Sequence, residues 1–190
     1  EDGYPTYLGS RLFGFIERAG VVETMGGATG SLSMVLAVSP PGADFAEPVT
    51  QACLRVASAF YMLDTTLAHA RHFPAIHWGE SYSLYGARWA EQFAQTVDPR
   101  WQELQQRCRE LLQQEEALRE VAEVVGMEGL QSKDRQLMRT AERIRRDFLC
   151  QNSYDDDAYA VPQESFARIA AILEAVEQGE GEKGGSDASG

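Results

Sequence analysis

"SLSMVLAVSPPGADFAEPVTQACLRV", Ser31 to Val56, is the stretch that decides the fold class. Its opening run, Ser31 to Ser39, is short and apolar. Strands covered on both faces lose the polar alternation of half-exposed ones, so this run predicts a buried strand in a parallel sheet. "PPGADFAEP", Pro40 to Pro48, follows as a stiff loop punctuated by Pro, Gly and Asp. A helix is predicted from near Pro48 to about Met62. The order strand, loop, helix indicates the α/β class.

Upstream, Leu8, Leu12, Phe15, Ile16 and Ala19 recur at spacings of three and four, the mark of one helical face between Pro5 and Ala19. Gly20 stands at the natural C′ position. "MGGATG", Met25 to Gly30, is glycine-rich but lacks the Gly-Lys-Ser/Thr ending of a phosphate loop, and it precedes a strand rather than a helix. It reads as a tight turn entering a strand.

Downstream, "HARHFPAIHW", His69 to Trp78, interrupts any helix, because Pro74 disfavours the α region for Phe73 and lacks a backbone donor. A strand or strand end is predicted between Phe73 and Trp78. The character of the chain changes after about Tyr85. Leu104, Cys108, Leu111, Leu118, Ala122 and Val125 follow a four-three rhythm that Glu115 interrupts and Gly126 ends. Ser132 is predicted to cap the next helix, with Asp134 in its first turn and Leu137, Ala141, Ile144 and Phe148 along one face. A last helix from near Pro162 carries Phe166, Ile169, Ala170, Leu173 and Val176. The second half therefore reads as a helical bundle. "GEGEKGGSDASG", Gly179 to Gly190, has almost no apolar content and is expected to be disordered.

The chain has 190 residues and a formal net charge of −12. That charge argues against a generic nucleic-acid surface, and no apolar run approaches the roughly 20 residues that span a bilayer. Cys53, Cys108 and Cys150 are odd in number, lack zinc spacing, and are expected to stay reduced. The opening on Glu1 reads as an internal cut.

Few residues suggest chemistry by themselves. Asp44 and Glu47 are a carboxylate pair that could serve a proton or a metal, although Glu47 before Pro48 is better placed to cap a helix. His69, His72 and His77 crowd one segment without a cysteine or carboxylate at ligand spacing. Phe73 is the best candidate for ligand contact. A planar heterocycle needs apolar faces and a few amides at its edge; Phe73 and Tyr154 offer the first, Gln151 and Asn152 the second. Ordinary packing remains an equal reading of the same four residues.

Four blocks taken together resemble the catalytic A subunits of V-type and A-type rotary ATPases. They are "GYPTYLGSRLFGFIERAG" (Gly3 to Gly20), "AVSPPGADFAEPVTQACLRV" (Ala37 to Val56), "HFPAIHWGESYSLY" (His72 to Tyr85) and "RRDFLCQNSY" (Arg145 to Tyr154). The resemblance runs in order from Gly3 to about Val176. It implies that residues 1–85 are the later part of a RecA-like nucleotide-binding domain with a parallel sheet. Residues 86–177 would be the all-α C-terminal domain, and 178–190 a disordered tail. It also implies ATP hydrolysis or synthesis coupled to proton or sodium transport, with ATP or ADP and Mg²⁺ as ligands of the whole protein. Alternating B subunits in a ring of six, central stalk proteins and, indirectly, a membrane sector would be its partners, on the cytoplasmic face of the membrane.

By the same resemblance, Phe73 is one wall of an adenine pocket, with Gln151, Asn152 and Tyr154 opposite. Pro40, Pro41, Gly42, Asp44 and Glu47 lie in a loop near the interface with the neighbouring B chain, and Arg18 is structural. The family's phosphate loop, catalytic glutamate and Mg²⁺-binding aspartate are implied to lie upstream of Glu1. His77, Cys150 and Ala70 stand where the family usually carries Asn, Gln and Arg. A sheet without its upstream strands would leave the first half loosely packed and the helical half better ordered. On this reading the chain is part of an ATPase; a module that binds other subunits without catalysis is the alternative.

Overall fold

The computed structural model describes residues 3–184, with 176–184 described by backbone alone. The chain forms two compact units, one ending at Phe60 and the other beginning at Tyr61.

In the first unit, helix α1 (Leu8–Ile16) packs against α2 (Pro48–Val56). Leu8, Leu12 and Ile16 are half-buried, as their spacing requires of an amphipathic face. Gly20 does not close α1. It opens strand β1 (Gly20–Glu23), which pairs antiparallel with β2 (Thr29–Leu32) in the register Gly20↔Leu32 to Glu23↔Thr29. The turn between them uses Gly27 at φ 78°, a conformation that glycine reaches without strain, and the Thr24 carbonyl accepts from its N–H at 2.8 Å.

The expected parallel sheet is corrected here. Sheets among the described residues have two strands, and only Ser31 and Leu32 of the apolar run enter one. The rest of that run, residues 33–39, is irregular, with Val35 97 % exposed. A strand forms only against a partner that takes up its N–H and C=O groups. Among the described residues, no other strand pairs with this segment. Thr50 is the one buried residue of this unit among those described.

Helix α2 begins as expected. Pro48 occupies the first turn, and the Glu47 carboxylate accepts from the Thr50 N–H at 2.8 Å and the Thr50 hydroxyl at 2.9 Å. It stops at Val56, short of Met62, where Ala57 becomes extended.

The second unit is mostly helical. Helix α3 (Thr65–His69) starts on Asp64, whose carboxylate accepts from the Leu67 N–H at 2.9 Å. Then come α4 (Gly86–Thr96), α5 (Trp101–Val125), α6 (Ser132–Ile144) and α7 (Pro162–Gly184). Gly126, at φ 75°, ends α5 where the pattern placed it. Ser132 is the first residue of α6 rather than its cap; Gln131 takes that place without a side-chain bond, while Asp134 sits in the first turn.

The core joins α5, α6 and α7 through Cys108, Leu111, Leu112, Ala141, Ile144, Ile169, Ile172 and Leu173, with Leu137 and Phe148 at its margin. Phe93 meets Trp101 at a tilt, with ring centres 4.6 Å apart, and Trp101 stacks on Phe166 at 5.8 Å, tying α4 and α7 to the start of α5. Helix α7 runs on to Gly184, into the stretch expected to lack structure. A formed helix adds residues far more readily than it nucleates. The remainder of that stretch, 185–190, lies outside the described residues.

Glu115, which breaks the apolar rhythm of α5, is only 1 % exposed. Its carboxylate accepts from Arg119 one turn on, at 2.9 and 3.0 Å, and from Arg145 at the end of α6. The interruption is thus a buried charge neutralised from two sides.

Candidate functional site

Helix α6 does not end cleanly. It passes into a π-helical turn, Arg145–Leu149, in which the Cys150 N–H reaches back to the Arg145 carbonyl at 2.9 Å. The wider turn rotates the chain as it leaves the helix, a feature frequent at functional sites. The next residue, Gln151, donates its N–H to the Phe73 carbonyl at 2.7 Å. This backbone bond laces the end of α6 to the Phe73–Pro74 segment, whose peptide bond is cis.

That segment is irregular rather than a strand, but it is well fixed. Leu63 and Ile76 form an antiparallel bridge, the Asp64 N–H donates to Ala75, and the His77 N–H donates to Met62 at 2.8 Å. Ser81 closes the same loop: its hydroxyl donates to the His77 carbonyl and accepts from the Met62 N–H. Trp78 packs at the edge of the helical core, with the Arg145 guanidinium 6.0 Å from its ring centre and the His77 ring stacked at 5.9 Å.

Between these elements lies a cavity of about 560 Å³, lined by Phe73, Pro74, Gln151, Asn152, Ser153, Tyr154 and Asp157. All four residues singled out by sequence, Phe73, Gln151, Asn152 and Tyr154, line this one cavity. Phe73 is 52 % exposed and Tyr154 95 % exposed, so neither ring is spent on the core. The volume lies within the range of small-molecule sites.

The edge groups are arranged differently from the simple expectation. The Asn152 amide turns onto its own loop: Oδ1 accepts from the Tyr154 N–H at 3.1 Å, and Nδ2 donates to Asp155. Asp157, which the sequence reading did not single out, accepts from the Asn152 N–H at 2.9 Å and from Arg168 of α7 at 2.9 Å. Its carboxyl is held below the ordinary aspartate range, first by the Asn152 N–H and then by Arg168. Its role depends on a partner eleven residues away, and no local pattern announces such a pair.

His72 and His77 pack against Trp78, while His69 is exposed at the end of α3. His72 meets Trp78 edge-on at 6.0 Å, and burial, with Arg145 nearby, pulls its pKa down. His77 Nδ1 accepts from the Glu80 N–H at 3.2 Å. Among the described residues no three His, Cys, Asp or Glu side chains gather as metal ligands. Cys53, Cys108 and Cys150 are unbridged.

The loop of Pro40, Pro41, Gly42, Asp44 and Glu47 belongs to the first unit. Gly42 and Ala43 take left-handed φ values of 65° and 58°, and Asp44 accepts from the Ala46 N–H at 2.9 Å. Burial pushes the Glu47 carboxyl up, but the Thr50 and Val49 N–H groups and the Tyr4 and Thr50 hydroxyls outweigh it and set the pKa at about 2. Both carboxylates thus serve to shape the loop. Arg18 lies over the Phe15 ring at 5.9 Å.

Residues 1–83 match the family profile described as the ATP synthase alpha/beta family, nucleotide-binding domain. Residues 90–178 match the C-terminal domain of V and A type ATP synthase. The chain is similar to the A subunit of the A-type ATP synthase of Staphylothermus marinus, 48 % identical over 176 residues, covering 91 % of this chain and 30 % of that one. It is similarly close to the V-type ATP synthase alpha chain of an Anaeromyxobacter species, 47 % identical over 92 % of this chain and 30 % of that one. The chain thus spans about 30 % of the length of these relatives. Among solved structures, the unique ATP synthase subunit NeqB of Nanoarcheaum equitans superposes with a TM-score of 0.76 at 22 % identity, covering 93 % of this chain and 41 % of that one. That likeness bears on the fold alone. Among the described residues no helix is long and apolar enough to cross a membrane.

Proposed function

This chain belongs to the ATP synthase alpha/beta family and carries the C-terminal domain of V- and A-type ATP synthases, and from that premise we propose that it is part of the catalytic subunit of a rotary ATPase or ATP synthase. In that role residues 1–85 complete a nucleotide-binding domain and residues 86–177 form the helical domain beyond it. The whole protein alternates with B subunits in a ring, contacts the central stalk, and couples ATP hydrolysis or synthesis to proton or sodium movement from the cytoplasmic face of the membrane. The loop from Pro40 to Glu47 lies at the edge facing the neighbouring B chain.

The observation that carries this reading is the cavity bearing Phe73 and Tyr154. It offers two exposed aromatic faces for the adenine of ATP or ADP, and Gln151 beside them for its edge. These residues do not cradle the phosphates. The sequence holds no Gly-Lys dipeptide, and phosphates and their Mg²⁺ carry much of the binding energy of a nucleoside triphosphate. The test is Phe73→Ala in the protein's natural assembly, read as nucleotide affinity. Loss of one stacking face is expected to weaken binding roughly tenfold or more. Unchanged affinity would remove Phe73 from the site.

The missing phosphate loop favours a second reading for these 190 residues by themselves, a module that binds other subunits and hydrolyses nothing. Calorimetry of the 190-residue chain with MgATP separates the two. Binding no tighter than the millimolar range is expected; nanomolar binding would refute the claim that the phosphate cradle lies elsewhere.

A further inference from the structure

Tyr154 poses a physical problem. At 95 % exposed it has almost no packing to hold it, yet a ring that stacks on a ligand must be held in place before the ligand arrives. The loop around it is instead fixed by polar bonds. The Tyr154 N–H is held by Asn152 Oδ1, and Asp155 bonds back to Asn152 through both its N–H and its carboxylate. Asp157 ties both ends of this loop. One oxygen takes the Asn152 N–H before Tyr154; the other takes Arg168 from the second turn of α7. The Asp157 side chain is 19 % exposed and that of Arg168 39 % exposed, so the pair is partly withdrawn from water.

We propose that Asp157 is a positioning residue for the ligand cavity: with Arg168 it pins the loop 152–157 to α7 and so holds the Tyr154 ring as a preformed wall. This rests on the reading of the cavity as a nucleotide site. Asp157 also faces the cavity, but both carboxylate oxygens are engaged by the protein, so its action runs through Tyr154 rather than through direct contact. Only one guanidinium nitrogen, Nη1, reaches Asp157. The contact is a single charged donor rather than a fork, and a lysine can supply that.

The test is a double-mutant cycle in the natural assembly, with a fluorescent ADP analogue as the probe. Tyr154→Ala is expected to weaken binding roughly tenfold. Asp157→Asn and Arg168→Ala are each expected to weaken it roughly threefold to tenfold, and Arg168→Lys to restore most of that loss. In the Tyr154→Ala background, Asp157→Asn is expected to have no further effect on affinity, because the wall it positions is gone. A general loss of folding does not give that pattern, since it would persist in both backgrounds. If Asp157→Asn weakens binding equally with and without Tyr154, or leaves it unchanged where Tyr154→Ala weakens it, the positioning role is overturned and the cavity reading stands. If Tyr154→Ala leaves binding unchanged, the cavity reading falls and this inference falls with it.

Discussion

The buried carboxylate of Glu115 gives the sharpest prediction about what holds the helical unit together. Consider Arg145→Met, which keeps much of the side-chain stem and removes the charge. Glu115 is 1 % exposed and would keep only Arg119, whose side chain is 48 % exposed. Stripping a buried charge of its partner costs about 3–5 kcal/mol. Arg119 still reaches both oxygens of Glu115, which lowers the figure, while the lost contact with Trp78 adds about 0.5–1 kcal/mol. A net loss of about 2–3 kcal/mol follows, or a fall in Tm of about 6–9 °C for a unit of this size.

Adding Glu115→Leu to Arg145→Met removes the stranded charge and leaves an apolar side chain of similar size. Arg119, half in water, needs no replacement partner. Buried ion pairs are often neutral when exchanged for apolar groups. The double variant is therefore expected to recover at least half of the loss. Thermal and urea unfolding, followed by circular dichroism, reads both quantities. A double variant as unstable as the sum of the two single variants would refute the argument that an uncompensated charge, rather than lost packing, causes the damage.

Three further outcomes are expected. Ile144→Ala, at a fully buried position, should destabilise the second unit by about 2–5 kcal/mol in urea titration, whereas Phe13→Ser, half exposed on α1, should change stability by no more than about 0.5 kcal/mol. Glu47 has a folded pKa of about 2 against an ordinary value of 4.5, so its contribution is complete above pH 4.5 and is lost as pH falls toward 2. The Thr50 amide resonance, followed by NMR through that window, should shift with Glu47 protonation and lose this dependence in Glu47→Gln. Phe166→Ala should loosen α4 as well as α7, because Phe166 stacks on Trp101 and Trp101 packs at a tilt on Phe93; hydrogen exchange in both helices would read this.

The sequence was most legible where burial alone decides structure. Leu111, Ala141, Ile144, Ile169 and Leu173 announced themselves by helical spacing, and all five are core. Gly126 ended α5 because its left-handed φ of 75° suits few other residues. Reading failed where structure depends on a distant partner. Ser31 to Ser39 has the composition of a covered strand, but composition cannot supply the neighbouring strand. Glu115 looked like a defect because the two arginines that neutralise it lie four and thirty residues away. In the cavity, Phe73 stood out for the rigid bend that Pro74 imposes, and Tyr154 as the aromatic in the polar run after Phe148. Asp157 did not, because one of its two partners, Arg168, sits on a different helix.

The central claim is that Phe73 and Tyr154 bound a nucleotide cavity, and photolabelling tests it most directly. Illuminating the natural assembly with an azidoadenine nucleotide should place the label on the peptide holding Tyr154 or the one holding Phe73, with excess ATP blocking the reaction. Labelling that ATP blocks, but that falls wholly outside residues 73–74 and 151–157, would contradict the claim.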